Sequence, residues 1–143
     1  MALTPLIFKT KERAKFFEID PYGHMNTQFY VSHFLEHRMT AMREYLNWDL
    51  EYLAKLPVAF FMKDIKIDFI RSVVGDKEFE ISSHVVEFKD RTCTVELVME
   101  DCNTQKILSK CYMTLACFDK KSSKTIDWPD EIKNKFYTQI GEL

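Results

Sequence analysis

The chain has 143 residues, a hydrophobic content of 46%, a charged content of 29% and a formal net charge of −2. That length suits a single domain, residues 1–143, which can bury a core without metal or disulfide staples. The near-neutral balance gives no electrostatic footprint for nucleic acid or an anionic membrane.

Met1 to Lys9 lacks the layout of a signal peptide, and no apolar run is long enough to span a bilayer, so a cytoplasmic protein is expected. Phe8 to Ile19 reads as a first strand. Helical periodicity then runs from about Thr27 to Leu46, with Val31, Leu35, Met39, Met42 and Leu46 at spacings of three and four and Phe34, Ala41 and Tyr45 beside them. Asn26 or Thr27 can cap this helix. A short loop or turn of helix follows from Asn47 to Pro57. Four runs with period-two alternation come next, Phe60–Ile70, Glu78–Phe88, Thr92–Asp101 and Ile107–Phe118, joined by turns at Gly75-Asp76, Lys89-Asp90 and Asp101-Cys102-Asn103. Asp127-Trp128-Pro129 opens a terminal helix with Pro129 at or near its first position. One long helix followed by strands on short turns predicts an α+β domain, an antiparallel sheet curled around the helix. Cys93, Cys102, Cys111 and Cys117 show no Cys-x-x-Cys spacing and read as reduced thiols.

The segment Asp20-Pro21-Tyr22-Gly23-His24-Met25-Asn26, between first strand and helix, carries the chemistry. A lone carboxylate precedes a glycine turn, which leads into the start of a helix. The first turn of a helix has backbone N–H groups without intrahelical acceptors, and its dipole adds partial positive charge. Attack on a thioester or ester carbonyl needs a base or nucleophile on one side and donors for the oxyanion on the other. Turn chemistry alone also accounts for Asp-Pro followed by Tyr-Gly.

Together with Tyr30, Glu36 and Arg38, this segment resembles the signature of the 4-hydroxybenzoyl-CoA thioesterase branch of the hotdog-fold thioesterases. The pattern is D-x-D-x-x-G-H-x-N-N-x-x-Y, with Glu18 here in place of its first Asp and Thr27 in place of its second Asn. The resemblance implies a five-stranded antiparallel sheet wrapped around one long central helix, with a short C-terminal helix. It also implies homo-oligomers, dimer or tetramer, in which two chains build each active site. It gives Asp20 as base or nucleophile and the backbone N–H near Thr27 as oxyanion donor. Gly23 would let the backbone come close to substrate, and His24 would hydrogen-bond the thioester or order the loop. Asn26 and Tyr30 have cap and packing roles as their alternatives.

His33-Phe34-Leu35-Glu36-His37 matches the inverted zinc-protease pattern H-x-x-E-H, but the chain offers no third ligand at a recognisable distance. His33 and His37 are expected on the polar or interfacial side of the helix. Glu36 is a secondary carboxylate candidate. Arg71, Lys89 and Arg91 fall at strand ends and turns, where they could meet the phosphates of coenzyme A; solvated surface charge is their plainer reading. With no Gly-rich phosphate loop and no Gly-x-Ser-x-Gly elbow, other nucleotide and ester chemistries lose support. The expected activity is hydrolysis of an acyl- or aroyl-CoA, or of an acyl-carrier-protein thioester, with no cofactor beyond the coenzyme A of the substrate. An enoyl-CoA hydratase and a non-catalytic acyl-CoA-binding module are the alternatives.

Overall fold

A computed structural model describes residues 4–138. The elements in order are β1 (Thr4–Pro5), β2 (Phe8–Arg13), a 3₁₀ turn (Phe16–Glu18), α1 (Thr27–Leu46), α2 (Leu50–Lys55), β3 (Val58–Phe69), β4 (Glu78–Lys89), β5 (Thr92–Asp101), β6 (Ile107–Asp119), β7 (Lys124–Ile126), α3 (Asp130–Lys133), a second 3₁₀ turn (Asn134–Phe136) and β8 (Tyr137–Thr138). The main sheet is antiparallel in the order β2-β4-β5-β6-β3, with β7 paired to the end of β6. It therefore has six strands where five were expected. The sixth arises because Ser123 adopts φ 60° and turns the chain back onto Cys117–Asp119.

The first strand stops at Arg13 rather than Ile19. Glu18 is the cause: its Oε1 accepts the Lys15 N–H at 2.7 Å, which winds residues 16–18 into a turn and lifts the chain off the sheet. Pro129 precedes α3 as its N-cap, so the terminal helix is a single turn prolonged by 3₁₀ structure. Bulges in β3, β4 and β6 add local twist, and the sheet curls around α1.

α1 spans its expected residues, but a different face is buried. Tyr30, His33, Phe34, His37 and Ala41 pack inward. The stripe Val31, Leu35, Met39 and Met42 is only half-buried or exposed, with Leu35 at 40%. The two histidines are thus not on a polar face, because the sheet supplies partners for both. His37 Nδ1 lies 2.7 Å from Thr10 Oγ1 on β2, and its Nε2 lies 2.6 Å from Ser83 Oγ on β4. Buried polar groups persist where hydrogen bonds satisfy them. Around them Phe34, Ile81, Leu97, Met99 and Met113 form the main core, and Trp128, Phe60, Val85 and Leu115 form a second around the C-terminal turn. Phe60 and Trp128 stack there at 4.7 Å. Leu35, Met39 and Met42 of this stripe instead line an open groove of about 360 Å³, facing Val58, Ala59 and Phe60.

Burial, and after it the nearby Arg38, lower the His37 pKa to about 4. Protonation is then favoured in the unfolded chain, so stability is full above the ordinary histidine pKa and is lost as pH falls toward 4. Urea denaturation at pH 7 and pH 5 should show a loss of about 2 kcal/mol from this group. The His37→Gln protein should lose correspondingly less over the same interval.

Candidate active site

Asp20 opens a tight loop. Its main-chain N–H donates to the His24 carbonyl at 2.8 Å, and its carbonyl accepts the Gly23 N–H at 3.0 Å. Its side chain closes the same loop: Oδ1 accepts the N–H of Tyr22 at 2.9 Å and of His24 at 3.1 Å. One carboxylate oxygen is thereby fixed by the backbone, and among the described residues the other has no hydrogen bond. Asp20 is half-buried and forms no ion pair among the described residues. Gly23 takes φ 79°, in the left-handed region, and a Cβ placed there would meet nothing within 4 Å. Glycine is required here by backbone conformation and not by space.

Past the loop, Met25 N–H donates to the Val73 carbonyl at 2.8 Å and Asn26 N–H to the Glu18 carbonyl at 2.7 Å. Asn26 is the N-cap of α1, but its side chain makes no capping hydrogen bond. Phe29 N–H returns to the Asn26 carbonyl at 2.9 Å. Among the described residues the N–H groups of Thr27 and Gln28 find no acceptor. They are the free donors expected of a helix start.

Asp20, His24, Asn26, Thr27, Tyr30 and Arg71 line one cleft of about 300 Å³, completed by Met25 and the Phe69–Ser72 segment that follows β3. Asp20 and Thr27 therefore border the same space. The Tyr30 hydroxyl accepts the Val73 N–H at 3.1 Å, and its ring meets Phe69 edge-on at 5.1 Å, so Tyr30 fastens the cleft wall to the helix. Burial raises its pKa, against the Val73 hydrogen bond, and the group stays protonated. Arg71 Nη1 donates to the Ile107 carbonyl at 2.8 Å while staying exposed at the rim.

Lys89 and Arg91 are not brought to this cleft within one chain. They flank the β4–β5 turn, where Arg91 lies 4.0 Å from Asp127. β4 has 12 residues, about 40 Å at the usual strand rise, and its opposite end adjoins the Asp20 loop. Glu36 is also absent from the cleft; it is exposed, 3.8 Å from Arg43. The H-x-x-E-H histidines do not converge, since His37 bonds Thr10 and Ser83 while His33 bonds Glu12 and Glu18. Ser72, Phe69 and Ile70 carry no motif and reach the cleft only because β3 ends opposite the start of α1.

The profile of the thioesterase-like superfamily matches residues 15–136. The chain belongs to the thioesterase-like superfamily. Among solved structures, this thioesterase-like protein is similar to YbaW, a probable thioesterase from Escherichia coli, at 20% identity and TM-score 0.77, with 90% of this chain and 95% of that one covered. It is also similar to a 1,4-dihydroxy-2-naphthoyl-CoA thioesterase from Synechocystis, at 10% identity and TM-score 0.80 over 91% and 95% of the two chains. A hypothetical protein from Staphylococcus aureus in complex with CoA aligns at 11% identity and TM-score 0.80, over 94% of this chain and 84% of that one. No curated protein sequence matches it. The fold is the hotdog fold, one long helix within a curled antiparallel sheet. Among the described residues no helix is long and apolar enough to cross a membrane.

Gly23→Ala should lower stability by about 1 kcal/mol, the cost of a left-handed alanine, with no steric penalty added. Thermal unfolding measures this, and a loss several times larger would show that the loop is crowded.

Proposed function

We propose that this thioesterase-like protein hydrolyses an acyl- or aroyl-CoA to the free acid and coenzyme A. The observation that carries the reading is the shared cleft, lined by Asp20 and by Thr27, whose N–H has no acceptor among the described residues. Water attacks the thioester carbon while Asp20 takes its proton, and the carbonyl oxygen, now negative, is held by the Thr27 N–H. Collapse of the tetrahedral intermediate breaks the C–S bond, and the proton held by Asp20 passes to the departing thiolate. Direct attack by Asp20 through a mixed anhydride places the same demands on both groups. The fixed Oδ1 leaves the second oxygen to do either task. His24, Asn26 and Tyr30 contact the thioester end, Gly23 admits it, and Arg71 at the rim faces the carrier's phosphates.

The acyl group lies along the half-open apolar stripe of α1, beside β3. Among the described residues that strand pairs only with β6, and it presents exposed Phe61 and Phe69 along its length, so a second copy of the chain is the natural cover for both edge and groove. A homodimer, alone or doubled into a tetramer, follows. An acyl-carrier-protein thioester would meet the same cleft.

Asp20→Asn tests the assignment cleanly, because the amide oxygen can still accept the Tyr22 and His24 N–H groups and keep the loop closed. Free-thiol release from a panel of acyl- and aroyl-CoA substrates should fall by roughly three orders of magnitude, with thermal midpoint and oligomeric state unchanged. Undiminished turnover refutes the role of Asp20. Loss of the conjugated absorbance of crotonyl-CoA without thiol release would instead indicate hydration, and ligand-induced stabilisation without either would indicate a binding module.

A further inference from the structure

Beneath the Asp20 loop, one buried imidazole is gripped by two carboxylates. His33 is 5% exposed and Glu18 4%. His33 Nδ1 lies 2.9 Å from Glu12 Oε1 on β2, and Nε2 lies 2.8 Å from Glu18 Oε1 in the 3₁₀ turn. A neutral imidazole has only one N–H to donate. Two such contacts to carboxylates therefore require one additional proton, and the ring between two acids is where it is best held. Burial opposes the charge on His33, but the hydrogen bonds and fields of Glu12 and Glu18 outweigh it and raise the pKa. Glu12 Oε2 is buried without a hydrogen-bond partner, a position an anion tolerates only beside a cation. The remaining neighbours add no charge. The Phe79 ring of β4 meets the imidazole edge-on at 5.0 Å, and His37, one turn along α1, is held by Thr10 and Ser83.

Glu18 is the node of this cluster. Its side chain holds His33 and the Lys15 N–H, and its carbonyl accepts the N–H of Asn26, the residue before Thr27. Both flanks of the loop that carries Asp20 are thus tied to the second turn of α1 through one proton. We propose that Glu12, His33 and Glu18 form an ionic clip that holds the Asp20 loop against the opening of α1, which makes His33 a positioning residue for thioester cleavage. The role in cleavage rests on the Asp20 reading above; the clip itself rests on the contacts.

If His33 loses its proton, the buried Glu18 and the half-buried Glu12 carboxylates face each other across a neutral ring and the Glu18 carbonyl is free to shift. A displacement of about 1 Å between reacting groups can cost on the order of a hundredfold in rate. The pKa of His33 is raised in the fold, so the clip's contribution is complete below the ordinary histidine pKa and is lost as pH rises through the raised value. kcat should accordingly show an alkaline limb.

The test combines kcat–pH profiles of the full chain with NMR hydrogen exchange at the Tyr22, His24 and Asn26 amides, for wild type, Glu12→Gln and His33→Gln. Glu12→Gln removes one influence that raises the His33 pKa, so the alkaline limb should move to lower pH. His33→Gln should lose about tenfold to a hundredfold in kcat with KM little changed, and should exchange faster at His24 and Asn26. His33→Lys, which restores a cation between the acids, should recover part of kcat. Should His33→Gln fail to fold, the limb shift in Glu12→Gln decides alone. A limb that stays put in Glu12→Gln, or unchanged exchange and kcat in a folded His33→Gln, overturns the clip. A wild type inactive on every thioester, with faster exchange in His33→Gln, would reject the reaction and uphold the clip.

Discussion

The structure turns on how backbone hydrogen bonds are handed over where α1 begins. Met25 gives its N–H to Val73 and Asn26 gives its own to Glu18, so pairing stops one residue before the helix. Thr27 and Gln28 are then the first amides that neither the loop nor the helix can satisfy. A helix start buried without a partner for these groups would cost free energy, whereas one that opens on a cleft becomes a binding site for developing negative charge. The same loop returns Asp20 to that cleft by folding its carboxylate over the Tyr22 and His24 N–H groups. Carboxylate and donor come from one short segment, so a few hydrogen bonds at its flanks, from Glu18 and Val73, suffice to set their relative placement.

α1 solves two packing problems on two faces. The face toward the sheet carries Tyr30, His33, Phe34, His37 and Ala41; the histidine nitrogens find partners on β2, β4 or the 3₁₀ turn, and the Tyr30 hydroxyl bonds Val73 in the β3–β4 connection. The face toward β3 carries Val31, Leu35, Met39 and Met42, and in one chain it is left half-covered. A helix normally buries its most apolar stripe. Here specific hydrogen bonds hold the histidine face inward, and the apolar stripe is left half-covered.

This division marks what could be read from the sequence. The strands were legible because alternation such as Ile65-x-Ile67-x-Phe69 reports burial on one face of a sheet. The helix limits were legible from periodicity. The buried face of the helix was not, because a histidine is placed by partners that lie far along the chain: Ser83 is remote from His37 in sequence and adjacent only once β4 has formed. The turn from Asp20 through Gly23 into the helix at Thr27 was legible because its geometry is local. That Lys89 and Arg91 lie away from the cleft of their own chain was not legible, since a cation in a turn gives no sign of which end of a long strand it occupies. Glu18 was visible only as a departure from the family pattern, and its grip on His33 required the fold.

Thr27→Pro is the most direct measurement of the central claim. Proline at the first helical position fits both the extended Asn26 before it, with ψ 141°, and the helix after it; it removes the N–H, and Thr27→Val, which removes the hydroxyl alone, separates the side chain's share. If that amide holds the oxyanion, kcat for thioester hydrolysis should fall by roughly 10²–10³ while unfolding and oligomeric state stay as in the wild type. A folded Thr27→Pro protein that turns over substrate at the wild-type rate would contradict the account.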